Sequence, residues 1–188
     1  MITNDDKIRI IQHIEKHEEN HIVLKAAEEC SKLAIELLTH IKYCNIKSGL
    51  HLTVEKVLSE VVDVHIVLVA LCSRLQIPIK EVSPIEKLEI DNEIQHGGLW
   101  GLTSGIMDTS NQLLHLSKVL IQSITKRQSI SEREKILSNQ IMEIYFHLHK
   151  LRIIYFISET LFKTELDKKL AKLSELNKSP GFGTLIIK

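Results

Sequence analysis

The sequence predicts an all-α fold, a bundle of long helices. Only seven glycines and three prolines occur among its 188 residues, which favours long helices over a β-structure with many turns. Apolar residues recur at helical spacing along most of the chain, as expected for helices that each bury one face. Hydrophobic residues make up 44% of the chain and charged residues 26%, the balance of an ordinary globular protein with a sizeable core.

The first predicted helix covers residues 4–20, with an asparagine or aspartate at its start as the N-cap and isoleucines at helical spacing on its buried face. His13, His17 and His21 are four residues apart and share one face of this helix. A zinc site would need further ligands nearby, so we interpret this face as solvated.

The second predicted helix covers residues 22–44, and a loop follows at 45–52. Thr53 is in position to cap a third helix, and Pro78 ends it. This third segment is rich in β-branched residues, which also suit a buried strand. Because the segment is longer than an ordinary strand, the sequence favours a helix.

Next we expect a shorter helix at 79–94, broken near Pro84, and then a Gly-rich linker at 96–110. The linker holds Trp100, the only tryptophan, which either stacks on a nucleobase or, as is more common, fills a gap between packed units. The last long helices are expected within 134–176, and their aromatic side chains are expected in the core. These are Tyr145, Phe146, Tyr155, Phe156 and Phe162.

Two apolar segments, 27–38 and 57–68, carry carboxylates inside them. Placing Glu60 and Asp63 in such a run is costly unless the charges are paired or bind a metal. A glutamate pair begins the first segment, and if the two helices pack antiparallel this pair faces the second. Three or four carboxylates that converge in a groove form a hard-oxygen site, which suits Mg²⁺ or Mn²⁺.

These segments resemble the MazG-like branch of the all-α nucleoside triphosphate pyrophosphohydrolases. The chain reads Glu-Glu-Cys-Ser-Lys-Leu from Glu28 and Glu-Val-Val-Asp from Glu60. The family pattern is Glu-x-x-Glu, a linker, and then Glu-x-x-Asp. Glu60 and Asp63 match the second half, and Glu29 matches the first glutamate. Lys32 stands where the family has its second glutamate.

The resemblance covers about residues 8–90 and implies hydrolysis of a nucleotide between its α and β phosphates, with release of pyrophosphate. Carboxylates would then hold Mg²⁺ or Mn²⁺, a glutamate would orient or deprotonate the water, and lysines would contact the phosphates. Lys32 would either take the place of one metal ion or abolish turnover. The expected metal ligands are Glu29, Glu60, Asp63 and Glu36, the catalytic glutamates are Glu28 and Glu29, and the lysines are Lys25, Lys32 and Lys56.

Two short segments of the chain recur in the same order. Residues 31–36 recur at 117–122, and residues 55–59 recur at 134–138. The second copy lacks the carboxylates, because Leu114, His115 and Gln122 stand where the first has Glu28, Glu29 and Glu36. We therefore expect two fused MazG-like helical units, a pseudo-dimer similar to the duplicated core of the dimeric all-α dUTPases. The expected divisions are a unit with the site at 1–95, the linker at 96–110, a degenerate unit at 111–178 and a tail at 179–188.

Charge and composition argue against several classes of protein. Lysine plus arginine and aspartate plus glutamate number 24 each, and this neutral balance is unlike that of a general nucleic-acid binder. No apolar run reaches the length of a membrane span, and the start shows no secretory signal. Three cysteines without metal spacing indicate free thiols in a reducing cytoplasm. A nucleotide is the expected partner. The sequence also leaves open a homodimer, because members of the family pair helical units around their sites.

Three functions remain in competition at this point. The first is a nucleoside triphosphate pyrophosphohydrolase. The second is a catalytically weak relative that binds or sequesters nucleotides, which Lys32 favours. The third is a structural or partner-binding helical module, in which Glu60 and Asp63 are merely paired with lysines.

Overall fold

The structure is a computed structural model that describes residues 3–14, 17–44, 50–78, 83–125 and 129–178. Within these ranges the chain is entirely helical, with turns between its helices, as the sequence predicted. The helices are α1 (Asn4–Ile14), α2 (Glu19–Cys44), α3 (Leu50–Arg74), α4 (Pro84–Thr125), α5 (Ile130–Ile154) and α6 (Glu159–Lys178).

The first half of the chain departs from the predicted elements at three helix boundaries. Helix α1 ends at Ile14, before the expected end at residue 20, and α2 begins at Glu19, before the expected start at residue 22. The expected cap Thr53 lies inside α3, which begins at Leu50. The β-branched segment of α3 is helical, so the strand alternative is wrong. Its valines fill the core from both sides of one helix, and burial overrides the weak strand preference.

The largest correction concerns α4, which runs unbroken for 42 residues through the stretch expected to be a Gly-rich linker at 96–110. Pro84 is the first residue of this helix, where a missing N–H costs nothing, so the proline starts a helix instead of breaking one. Gly105 is buried, and a Cβ built on it would lie 3.5 Å from atoms of Lys150 and Ile154 on α5. Packing of α4 against α5 therefore holds a segment that helix propensity alone disfavours.

The core is built around α2, which packs against α3 on one side and α4 on the other. Small residues allow α2 and α4 to approach closely, and serine hydroxyls on α4 donate to α2 backbone carbonyls. Ser110 Oγ donates to the Ala34 carbonyl at 2.9 Å, and Ser117 Oγ donates to the Ala27 carbonyl at 2.8 Å. Helix α5 covers α4, and α6 packs on α1 and α3. This last contact brings the end of the described chain to the carboxylate segments.

The last two helices are separated by a short turn after Ile154, in which Phe156 has a positive φ of 51°. Tyr145 and Phe162 are buried in the core as expected. Phe156 is 84% exposed, so its predicted place in the core is wrong. Phe156 lies in the turn between the two helices, where its side chain is exposed to solvent.

Helix α5 starts with a capping box, in which Ser129 and Glu132 satisfy each other's backbone N–H groups. Within the described ranges, no helix is both long and apolar enough to cross a lipid bilayer. The predicted tail at 179–188 and most of the loop at 45–52 lie outside the described residues, as does the side chain of Trp100.

Candidate metal centre and adjoining cavity

Three of the four carboxylates predicted as metal ligands come together between α2 and α3. Glu29 lies on α2, and Glu60 and Asp63 lie one helical turn apart on α3. One oxygen of each of the three lies within 4.8 Å of the others. We call these three residues the carboxylate cluster. Spacing of three residues puts Glu60 and Asp63 on the same face of α3, and the packing of α3 on α2 adds Glu29.

Burial makes this cluster electrostatically unfavourable by itself. Glu29 is 5% exposed, and Glu60 Oε2 is buried without a hydrogen-bond partner among the described residues. Burial raises the pKa of Glu60, and the nearby charge of Asp63 raises it further. Burial also raises the pKa of Asp63, although a hydrogen bond from Lys169 opposes the change. A cation between the three side chains would relieve both effects.

Two lysines on α2 neutralise the glutamates beside them. Lys25 Nζ lies 2.6 Å from Glu29 Oε1 and 3.0 Å from Glu28 Oε2. Lys32 Nζ lies 2.5 Å from Glu28 Oε1 and 3.2 Å from Glu29 Oε1. Burial acts to raise the pKa of Glu28, but the hydrogen bonds from the two lysines outweigh it and lower that pKa. For Lys32, burial acts to lower the pKa, but the bond to Glu28 and the charge of Glu29 raise it.

A third lysine reaches the cluster from the other end of the chain. Lys169 on α6 donates a hydrogen bond from Nζ to Asp63 Oδ2, and its side chain is only 17% exposed. Sequence analysis missed this residue because 106 positions separate it from its partner. No local pattern links two residues that far apart, so only the packing of α6 on α3 reveals the pair.

The cluster adjoins a cavity of about 470 Å³, which Glu29 and Asp63 line. Its other lining residues belong to α1, α2, α3 and α6, with His17 between α1 and α2. The side chains of His21, Lys25 and Glu29 line it at successive turns of α2. His13 and His17 line it too, and the His17 and His21 rings stack with centroids 5.0 Å apart. The three histidines do not share one helix as predicted, because His13 lies on α1, His17 between α1 and α2, and His21 on α2. They face a cavity because α6 packs beside them.

Helix α6 supplies a basic wall to the same cavity. Lys168, Lys169 and Lys172 line it, together with Glu165. Lys168 is 69% exposed in its side chain and pairs with Glu165 at 3.3 Å, so it lies at the rim, outside the carboxylate cluster. The cavity thus joins a carboxylate cluster to a surface rich in ammonium and imidazole groups.

Two predicted site residues lie elsewhere. Glu36 is not part of the carboxylate cluster; its Oε1 is buried without a hydrogen-bond partner among the described residues, and its charge acts on His40. Burial lowers the pKa of His40, and the charge of Glu36 opposes that change. Lys56 is exposed and does not line the cavity. Because Glu36 lies two turns along α2 from Glu29, the two carboxylates are too far apart to bind the same metal ion.

The residues of the carboxylate cluster fit a divalent cation. Mg²⁺ binds oxygen at about 2.0–2.1 Å, so two ligands on opposite sides of it are about 4.2 Å apart. The cluster's oxygens lie within 4.8 Å of one another, so side-chain shifts below about 1 Å would bring them into range. An oxygen-only donor set is the one that Mg²⁺ and Mn²⁺ prefer.

Comparison of the chain with protein-family models, with curated proteins and with solved structures found no match in any of the three. The case for a function therefore depends on the geometry of the carboxylate cluster and the cavity beside it.

Proposed function

We propose that this protein is a Mg²⁺-dependent nucleoside triphosphate pyrophosphohydrolase, which converts an NTP or dNTP to the monophosphate and pyrophosphate. The observation that carries the proposal is the convergence of Glu29, Glu60 and Asp63 beside a cavity that Glu29, Asp63 and several basic side chains line. A triphosphate with its metal needs both parts, carboxylates for the cation and cations for the phosphates. The resemblance of the two carboxylate segments to the MazG-like family agrees with this pairing.

In the proposed reaction the carboxylate cluster holds the metal, which supplies charge neutralisation at the phosphates. Lys25 lies one turn from Glu29 on the cavity side of α2, and its ammonium group is in position to bind a phosphate oxygen. Glu28 remains our candidate for orienting the attacking water. Its lowered pKa keeps it ionised, so it accepts a hydrogen bond from water well.

The lysine contacts favour a second candidate, a relative that binds nucleotides without turning them over. Lys25 and Lys32 both contact Glu29, and Lys169 contacts Asp63, so cations already neutralise part of the metal site. The contact between Asp63 and Lys169 also suits a helical interaction module in which the carboxylates are only structural. Against that third function, Glu60 Oε2 is buried with no partner in the described chain.

The test is an assay of pyrophosphate release from a panel of ribo- and deoxyribonucleoside triphosphates with Mg²⁺. Glu60→Gln should reduce turnover by at least about 100-fold, because one metal ligand becomes a weak neutral donor. The variant should stay folded or gain stability, since an uncompensated buried charge is removed. Glu55→Gln is the matched control, because it changes an exposed glutamate of the same helix. Full activity of Glu60→Gln would refute the assignment of the site.

A wild-type chain that releases no pyrophosphate from any nucleotide is not the proposed enzyme. Calorimetry with a non-hydrolysable triphosphate analogue then separates the other candidates. Binding with Mg²⁺ identifies a nucleotide-sequestering protein, and absence of binding identifies a helical interaction module.

A further inference from the structure

We propose that Lys169 is a tethered counter-ion that exchanges partners: it neutralises Asp63 while the carboxylate cluster holds no metal, and it binds a substrate phosphate once metal occupies the cluster. The inference deepens the proposed function and rests on its metal centre. It assigns a phosphate-binding role to α6, which lies outside the segments that resemble the pyrophosphohydrolase family.

Lys169 lies where three neighbouring carboxylates require a cation. The cluster contains three carboxylates with one oxygen of each within 4.8 Å of the others, and Glu60 Oε2 is buried without a hydrogen-bond partner among the described residues. The ammonium group of Lys169 bonds to Asp63 from the α6 side. Its side chain is 17% exposed, against 69% for Lys168 one residue earlier, so Lys169 points into the site and Lys168 points out.

Asp63 cannot bind both a metal ion and the ammonium group of Lys169 at full strength. A carboxylate bound to Mg²⁺ has lost much of its power to attract an ammonium group, because the divalent ion neutralises the whole cluster. Lys169 would then carry an unpaired positive charge in a partly buried position, which is unfavourable. A flexible four-carbon stem allows its ammonium group to move to another anion nearby.

The cavity is where that anion would bind. Lys169 lines the cavity together with Lys172 of the same wall and Lys25 of the opposite helix. A phosphate beside the metal would lie between these ammonium groups, and charge-assisted hydrogen bonds to phosphate are among the stronger polar contacts in proteins. The substrate class that this wall fits is a metal-bound polyphosphate, with more than one negative charge beyond the cation.

The exchange predicts that metal and nucleotide assist each other's binding. Metal displaces Lys169 from Asp63 and frees it to bind phosphate. A bound phosphate in turn holds Lys169 away from Asp63, so that Lys169 no longer competes with the metal. Coupling of two binding events is reciprocal, so each ligand should raise the affinity for the other by the same factor. Without Lys169, this part of the coupling disappears.

The experiment measures Mn²⁺ binding by electron paramagnetic resonance, for the wild-type chain and for Lys169→Met. In the absence of nucleotide the variant should bind Mn²⁺ about tenfold more tightly, because no ammonium group competes for Asp63. With a non-hydrolysable triphosphate analogue at saturating Mn²⁺, the same variant should bind nucleotide about tenfold more weakly. Opposite effects of one substitution on two ligands are the signature of exchange.

Two further variants serve as controls. Lys118→Met removes the same charge at an exposed position of α4 that does not line the cavity, and should leave Mn²⁺ affinity unchanged. Lys169→Arg keeps a cation on the stem and should behave more like wild type than Lys169→Met. Circular dichroism checks that all variants are folded.

Mn²⁺ affinity of Lys169→Met equal to or below that of the wild type overturns the exchange, as does an equal gain in Lys118→Met. The proposed reaction fails separately, in the pyrophosphate assay. If the opposite effects on metal and nucleotide appear without pyrophosphate release, the exchange stands and only the reaction is refuted.

Discussion

At the scale of single residues, burial shifts the pKa values of a histidine and two cysteines far from their ordinary values. The His65 ring packs edge-on against Tyr145 and Phe162, with centroids 5.2 Å from each. Burial, together with the nearby charge of Arg152, lowers the pKa of His65 to about 3. Burial raises the pKa of the free thiols of Cys30 and Cys72 to about 12. These three groups are neutral near pH 7, and the sequence predicted none of them as a site residue.

The lowered pKa of His65 predicts a loss of stability in acid. The folded chain binds fewer protons at this group than the unfolded chain between about pH 6.5 and pH 3. Stability from neutral His65 is therefore complete above pH 6.5 and declines as the pH falls through this window. At pH 5 the loss should be on the order of 2 kcal/mol. His65→Phe keeps a ring in this place and should remove that loss.

Urea unfolding at pH 7.5 and pH 5 measures the effect of His65→Phe. His115→Phe, at an exposed histidine of α4, is the control and should retain the pH dependence of the wild type. An unchanged difference between the two pH values in His65→Phe would show that other groups cause the acid sensitivity.

Helix α4 is the element that sequence analysis described least well. Its glycines suggested a linker, because glycine lowers helix propensity by about 1 kcal/mol relative to alanine. The helix nevertheless continues, since α2 and α5 pack along it and buried leucines at 113, 116 and 120 lie on its inner face. The packing of α4 against its neighbours thus outweighs the low helix propensity of its glycines.

Gly105 tests this account of α4. A Cβ at this position would make ordinary van der Waals contacts of 3.5 Å with Lys150 and Ile154. Gly105→Ala should therefore raise the free energy of unfolding by roughly 0.5–1 kcal/mol, because the unfolded chain loses freedom and no clash arises. Thermal or urea denaturation measures the change. Gly105→Leu is the contrasting variant and should destabilise the chain, and a destabilised Gly105→Ala would mean that α4 and α5 are closer than the contacts indicate.

The expected duplication of the chain stays a prediction, and two features of the helix arrangement bear on it at the scale of the whole molecule. Helices α2 and α3 form one packed pair and α4 and α5 another, and the pairs meet through α2 and α4. Ser31 and Ser117, which the sequence repeat aligns with each other, form a hydrogen bond of 2.7 Å between their hydroxyl oxygens. Contact between equivalent residues is what a two-fold relation between two units produces. Among the described residues only the first pair carries a three-carboxylate group.

The proposed pseudo-dimer makes a prediction for the isolated first unit. Residues 1–95 lack the part of α4 that covers Ala27, Ser31 and Ala34 on α2. That exposed face should drive the fragment to pair with itself or to aggregate. Light scattering after size exclusion measures its mass, and Mn²⁺ titration counts its sites. The full chain should bind one metal cluster per chain.

A stable monomeric fragment 1–95 would argue that the sequence repeat is coincidence. A full chain with two equivalent metal clusters would contradict the degenerate second unit. The same titration on the full chain serves as the internal standard for both measurements.

The sequence by itself determined the helical class and most of the carboxylate cluster. Helical spacing of three residues puts Glu60 and Asp63 on one face of α3. Helices that follow each other in the chain usually pack together, which places α3 beside the helix that carries Glu29. The departure at Lys32 from the family pattern was also visible, and the structure places its ammonium group against Glu28 and Glu29.

Only the tertiary structure decided which distant groups join the cluster and which nearby ones do not. Lys169 reaches Asp63 across 106 positions, and the three histidines face a cavity because α6 packs beside them. Glu36, close in sequence and expected as a ligand, is excluded because it lies two turns along α2 from Glu29. The physical reason is the same in each case. Helical spacing fixes which residues share a face, but the packing of whole helices fixes which faces meet.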